Sequence, residues 1–299
     1  VKPQDALAPK GDHAVEEWID LQFFRPLGVR LARRLQPTGV TADQVTLAAL
    51  LIGLVAGHLF LYHDWRLGVA GFLLFVVSDV FDSADGQLAR LRGTSTRFGR
   101  ILDGVSDSLR FVNLFLHLLV RILRDGAGWQ AIVLVLLVTI VASFQAGAVD
   151  FMRNAYLRLG GPGRGELDLP EDLTEPPQGF WARLGWQSYA GYVRRQVLFF
   201  PGTLRLARWY HEALPSSEEA ARYRSAQGRT VASCAWIGQN SRFILLLLTA
   251  VPGWPAGYFW VTGLGFTAVL AALIYRYERT SRALGAALLP ETEHAYSTP

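Results

Sequence analysis

Apolar residues run through this chain in long blocks separated by short polar turns. The blocks "VTLAALLIGLVAGHLFLY" (45–62), "AIVLVLLVTIVASFQAGAV" (131–149) and "WVTGLGFTAVLAALIY" (260–275) contain no Asp, Glu, Lys or Arg. A helix of roughly 20 residues crosses a bilayer, and these blocks come close to that length. Six spans are predicted, at about 43–62, 66–91, 98–123, 129–153, 230–251 and 255–277. Upstream, "WIDLQFFRPLGVRLARRLQP" mixes Trp, Phe and Leu with Arg25, Arg30, Arg33 and Arg34, the pattern of a helix lying in the membrane interface. An ordinary helix on the soluble side is the plainer alternative. The expected fold class is an all-α integral membrane protein with six transmembrane helices and an N-terminal interfacial helix.

Two regions follow from this pattern. Residues 1–42 read as a cytoplasmic tail, disordered over 1–15, followed by the interfacial amphipathic helix. Residues 43–299 read as a six-helix transmembrane domain with a cytoplasmic or interfacial loop at about 154–229. The first part of that loop, "GGPGRGELDLPEDLTEPPQG" (160–179), is rich in Gly and Pro and predicts irregular backbone. It lacks the preceding strand and the Lys-Ser/Thr pair of a phosphate cradle. The second part, "FWARLGWQSYAGYVRRQVLFF" (180–200), interleaves aromatic residues with arginines, again an interfacial pattern.

Composition agrees with a membrane setting. Of 299 residues 51% are hydrophobic, and the mean hydropathy is +0.22. No short apolar core with a cleavage site precedes Asp20, so no cleavable leader is expected. The single cysteine, Cys234, excludes an internal disulfide framework and a cysteine metal site, and reads as a small core residue. The net charge of +4 does not call for nucleic acid. Arginines cluster before span one, between spans two and three, between spans four and five, and at Arg276, Arg279 and Arg282; only Arg66, Arg121 and Arg124 disturb the bias. The positive-inside rule therefore puts both termini and the 154–229 loop in the cytoplasm. Arginines there also meet anionic lipid headgroups.

The chemistry concentrates in "DSADGQLARLRGTSTRFGRILDGVSD" (82–107). With a turn near Thr94, Asp82 and Asp85 (i, i+3) share one helix face, and Asp103 and Asp107 (i, i+4) share another, at matching depths. In an antiparallel helix pair the two faces meet as one cluster. A charged carboxylate at the centre of a membrane helix costs about 2.5–3.5 kcal/mol on insertion scales, so cations must compensate. An all-oxygen site suits Mg²⁺ or Mn²⁺, and four carboxylates suit two ions acting at a phosphate. Gly86, Ala89 and Gly99 leave room for a ligand, and Arg90 offers its fork to a phosphate oxygen. A nucleotide-diphosphate substrate is indicated. Structural ion pairs with Arg90, Arg92, Arg97 and Arg100, or an ion pathway in a transporter, are the alternatives on spacing alone.

The same stretch resembles the signature of the CDP-alcohol phosphotransferases (CDP-alcohol phosphatidyltransferases): Asp-x-x-Asp-Gly-x-x-Ala-Arg, eight residues, Gly-x-x-x-Asp-x-x-x-Asp. Asp82, Asp85, Gly86, Ala89, Arg90, Gly99, Asp103 and Asp107 fill its eight fixed places. The resemblance implies that Asp82, Asp85 and Asp103 bind metal, that Asp107 is the general base and a further metal ligand, and that Gly86, Ala89, Arg90 and Gly99 line the CDP site. "TADQVT" (41–46) is similar to the family's Thr-Pro-Asn-x-x-Thr segment, with Ala42 and Asp43 in place of Pro and Asn; Thr46 is retained as a CDP contact. The implied reaction transfers a phospho-alcohol group from a CDP-alcohol such as CDP-diacylglycerol to an acceptor alcohol and releases CMP, in phospholipid synthesis. A CDP-choline or CDP-ethanolamine donor with diacylglycerol as acceptor is the alternative within the family. A homodimer in an inner or plasma membrane is also implied.

Other polar residues are weighed separately. Asp79 extends the acidic face by another i, i+3 step, as a support for the cluster or a structural hydrogen bond. Arg242, entering span five behind Gln239, Asn240 and Ser241, is a candidate for the acceptor or a lipid phosphate, with snorkelling as the alternative. Arg110, one turn past Asp107, is a candidate for the same role, as is Arg153, which otherwise pairs with Asp150. His58 and His117 read as satisfied helix residues.

Overall fold

The computed structural model describes residues 14–94, 96–161, 167, 169–173, 175–176, 179–212 and 215–288. The tail expected to be disordered lies outside these but for residues 14–15, as does part of the 160–179 segment. Among the described residues all regular structure is helical: α1 (Arg25–Leu35, entered through a π-turn), α2 (Ala42–Leu59), α3 (Trp65–Arg92), α4 (Arg97–Arg124), α5 (Gln130–Leu159), α6 (Phe180–Phe199), α7 (Pro201–Glu212), α8 (Ser217–Ala232), α9 (Gln239–Thr249), α10 (Pro255–Trp260) and α11 (Phe266–Leu288).

Among the described residues, five helical stretches are long and apolar enough to cross a membrane: Ala42–Leu59, Trp65–Arg92, Gln130–Leu159, Ser217–Thr249 and Pro255–Ala287. They mark an integral membrane protein. α4 has the length, 28 residues, but Asp103, Asp107 and Arg110 keep it outside that composition. The predicted fifth span is not one helix. α8 ends in a 3₁₀ turn at Ser233–Ile237, Gly238 is extended, and α9 starts on the polar run Gln239–Arg242. The predicted sixth span runs from α10 through a π-turn at Val261–Gly265 into α11 and ends eleven residues later than expected. The 154–229 segment, read as a loop, carries the end of α5, then α6, α7 and most of α8.

The ends of the helices follow from local chemistry. Thr41 caps α2 in a reciprocal box: its hydroxyl accepts from the Gln44 N–H at 3.2 Å, and Gln44 Oε1 accepts from the Thr41 N–H at 3.0 Å. α3 stops at Gly93, whose φ of 67° is left-handed, a conformation glycine adopts without a Cβ penalty. Three residues later Thr96 caps α4 by accepting from the Gly99 N–H at 2.9 Å. The two acid-bearing helices are thus joined by a short, well-terminated turn where the sequence predicts one.

The chain forms two compact units. The first is built mainly from Glu16–Ala142 and Gln239–Phe266, the second from Ser143–Gly238 and the residues from Thr267 onward. In the first, α2 packs against both α3 and α4. Small residues make that possible: a Cβ on Gly71 would lie 2.8 Å from the Ala56 carbonyl oxygen, and one on Gly57 would lie 3.3 Å from the Leu114 backbone. Behind them Phe60, Phe75, Phe115, Phe243, Tyr258 and Phe259 form an aromatic core. α1 lies on α3, its Gly28 against Ser83. Arg92 ties down the connection to α2, donating to the carbonyl oxygens of Leu35 (2.7 Å), Gln36 (3.1 Å), Thr38 (2.8 Å) and Val40. Arg121 is fully buried and donates to the Ala250 carbonyl at the end of α9, 3.0 Å away. The rings of His58 and His117 hydrogen-bond to each other at 3.0 Å. In the second unit, buried Glu278 accepts from the backbone N–H groups of Gly202 (2.7 Å) and Thr203 (3.0 Å), capping α7 from α11.

Candidate active site

The signature acids come together across the turn. Asp82, Asp85 and Asp103 each offer a carboxylate oxygen, and these three atoms lie within 4.8 Å of one another. The donor set is all oxygen and carries charge, which fits a hard divalent cation. Asp82 and Asp85 sit on α3, one turn apart, and Asp103 on α4. α2 packs against both helices. Asp82 and Asp85 meet Asp103 across the turn between α3 and α4.

Asp107 lies one turn beyond Asp103, half-exposed, with its carboxylate accepting from Arg110. An exposed carboxylate at the rim of the cluster is accessible to an incoming hydroxyl. Asp85 is buried and accepts a 2.5 Å hydrogen bond from the Thr46 hydroxyl of α2. Thr46, expected to contact CDP, has its hydroxyl turned to that carboxylate and to the Ala42 carbonyl. Gly86 and Gly99 flank the acids. A Cβ on Gly86 would meet only Arg90 Nη1, at 3.4 Å. One on Gly99 would lie 3.3 Å from Thr96 Oγ1 and 3.4 Å from Asp43 Oδ1. Ala89 and Arg90 are half-buried on the same helix.

Arg110, a candidate for the acceptor, is buried, with its guanidinium turned into the acids. Its Nη1 donates to Ser78 Oγ at 2.7 Å and Asp79 at 3.1 Å; its Nη2 donates to Asp82 at 2.9 Å and to Asp107. Asp79 is also held by Gln239 Nε2, at 3.0 and 3.1 Å. The neighbouring Asn240 Nδ2 donates to Glu17 (2.8 Å) and Asp20 (2.9 Å) of the N-terminal segment. The run "QNSR" that looked like acceptor chemistry is, in its first two residues, a polar bridge inside the first unit. Arg242 is buried, its guanidinium over the Phe266 ring at 5.4 Å. Arg153 is half-buried on α5 in the second unit. The supporting roles of Ser78, Gln239 and Glu17 carry no sequence signal, because each depends on a partner 32 or more positions away.

Comparison with known proteins agrees with the geometry. A family model described as CDP-alcohol phosphatidyltransferase matches residues 39–157, the stretch that holds every signature acid. The phosphatidylinositol phosphate synthase of Mycobacteroides abscessus is 33% identical over 156 residues, 52% of this chain and 68% of that protein. The enzyme of the same description from Mycobacterium tuberculosis is 36% identical over 96 residues, 32% of this chain and 43% of that one. The archaetidylinositol phosphate synthase of Pyrococcus horikoshii is 28% identical over 137 residues, 46% of this chain and 70% of that one. The family uses divalent metals, in keeping with the carboxylate cluster. With signature, cluster and relatives in agreement, the chain belongs to the CDP-alcohol phosphatidyltransferase family and is a transferase of substituted phosphate groups.

Proposed function

We propose that this protein transfers a phosphatidyl group from CDP-diacylglycerol, or a CDP-linked lipid of the same kind, to the hydroxyl of a small phosphorylated polyol. The observation that carries this is the meeting of Asp82, Asp85 and Asp103 within 4.8 Å, with Asp107 one turn away. The acceptor class is taken from the relatives, whose names specify inositol phosphate products. Asp82, Asp85 and Asp103 would hold Mg²⁺ or Mn²⁺, with Asp107 as a further ligand to a second ion. When bound, the metal supplies neutralisation of the diphosphate charge.

The chain's own residues supply the rest. Gly86, Ala89 and Gly99 give the CDP moiety close access to the backbone, and Arg90 takes a phosphate oxygen. Thr46 orients Asp85. Asp107 accepts the proton of the acceptor hydroxyl. That oxygen attacks the phosphorus distal to cytidine, the P–O bond to CMP breaks, and a phosphodiester forms. Nucleophile and base held together need no protein-bound intermediate. Arg242 and Arg153 remain candidates for the acceptor or lipid phosphate. The exposed Trp18 and Phe23 suit an N-terminal helix at the membrane interface. Six spans, with α4 as the charged one, put both termini and the 93–96 turn in the cytoplasm of an inner or plasma membrane.

Purified protein with Mg²⁺ or Mn²⁺ should release CMP from CDP-diacylglycerol only when an acceptor is present. Inositol phosphate, glycerol phosphate, inositol and serine form the panel, and CDP-choline with diacylglycerol is the contrasting pair. Asp107→Asn should lower kcat by about 10²–10⁴, the usual contribution of a positioned base. No CMP from any pair, or full turnover by D107N, ends this reading. Light scattering on the same preparation tests the homodimer that the resemblance implies.

A further inference from the structure

Arg110 bridges acids on both signature helices. Its guanidinium has two unlike ends. The Nη1 end rests on groups outside the signature: Ser78, whose hydroxyl is fixed on the Ala49 carbonyl at 2.8 Å, and Asp79, which Gln239 holds from α9. The Nη2 end rests on two signature acids, Asp82 of α3 and Asp107 of α4. The stem is seated by α2: a Cβ on Gly53 would fall 2.4 Å from Arg110 Cδ and 2.8 Å from its Cγ. Only a glycine there lets the side chain cross to α3.

We infer that Arg110 is a tethered counter-cation of the metal site: it neutralises Asp82 and Asp107 when no divalent ion is bound and yields both carboxylates when one enters. This rests on the reading of Asp82 and Asp107 as metal ligands. Five carboxylates, those of Asp79, Asp82, Asp85, Asp103 and Asp107, share this region of the first unit. Without a cation, Asp82 and Asp107 repel each other across the gap between helices. A guanidinium anchored at one end stays at high effective concentration, so it restores the bridge whenever the metal leaves. When the Nη2 end is displaced, the Nη1 end remains on Ser78 and Asp79, and Arg110 is not left as an unpaired buried charge. Metal binding is then an exchange of one cation for another, and Arg110 is a positioning residue that lowers metal affinity in return for a site already assembled.

The test is Mn²⁺ affinity, read from the free-ion electron paramagnetic resonance signal on the purified, detergent-solubilised full chain, without substrate. Two cations competing for one site typically couple by about 5–150-fold. Arg110→Gln should therefore bind Mn²⁺ at least about fivefold more tightly than the wild type, with a larger Mn²⁺-induced rise in Tm. Gly53→Ala, which displaces the Arg110 stem without changing any charge, should shift affinity in the same direction and guards against misfolding of the first variant. Arg110→Lys should fall between, since one ammonium cannot hold both sets of partners. If the wild type binds Mn²⁺, Asp82→Asn abolishes binding, and R110Q and G53A bind as the wild type or more weakly, the inference alone is overturned. If the wild type binds no Mn²⁺, the metal site and the inference fall together.

Discussion

The Thr46 hydroxyl shows how a single side chain can be identified by its spacing and then given its task by a contact. Thr46 matches a family position, but its 2.5 Å hydrogen bond to Asp85 makes it an orienting group for a carboxylate of the cluster. Groups of this kind typically change metal affinity or activity by about 10–100-fold when removed. Thr46→Val, nearly the same shape, should weaken Mn²⁺ binding by that order, and Thr46→Ser should restore it. Equal Mn²⁺ titrations for the valine variant and the wild type would assign the hydroxyl to packing alone. The four acids, Gly86 and Gly99 were legible because local helix geometry relates residues three and four apart. Arg110 was legible only as a cation one turn from Asp107. Its partners Ser78, Asp79 and Asp82 lie 28 to 32 positions away, and no periodicity reports which of two inward-facing groups a long side chain will choose.

Elements depend on their ends and on what seats them. α1 has the composition of an interfacial helix, and its arginines and exposed aromatic neighbours are real, but the helix is fixed on α3 through Gly28 and Ser83. The fastening at its far end is Arg92, which donates to four carbonyl oxygens between Leu35 and Val40. Those oxygens close α1 and lead into the Thr41 cap of α2. Arg92→Ala should release this connection, and hydrogen exchange over 35–41 should accelerate by at least about tenfold, while exchange in the middle of α5 stays unchanged. Uniform acceleration everywhere would mean global destabilisation and no specific fastening. The break of span five at Gly238 was not readable beforehand. The polar run Gln239–Arg242 marks a change of surroundings but not a break in the helix, and the partners that Gln239 and Asn240 find, Asp79, Glu17 and Asp20, lie 160 or more positions away.

At the scale of the whole molecule, arginine distribution predicts which ends face the cytoplasm. With Cys234 replaced by Ser, a single cysteine at Thr94 should react with a membrane-impermeant maleimide only when the cytoplasmic face is exposed. One at Ala127 should react only from the opposite face; both positions are solvent-exposed in the fold. Labelling of both from one side would overturn the orientation. Arg121, an exception to the charge bias, is explained by burial: it serves the end of α9 and does not act as a loop charge. The sequence by itself determined the helical class, the membrane setting and the register of the acids on each helix, because each follows from composition or from spacing within one helix; the family came from resemblance to a known signature that spans both helices. Tertiary structure alone decided that α2 stands against both acid-bearing helices, that Arg110 joins their carboxylates, and that Thr46 serves Asp85. Those outcomes depend on long-range side-chain choices among competing partners, which steric room at glycines such as Gly53 settles only once the helices are packed.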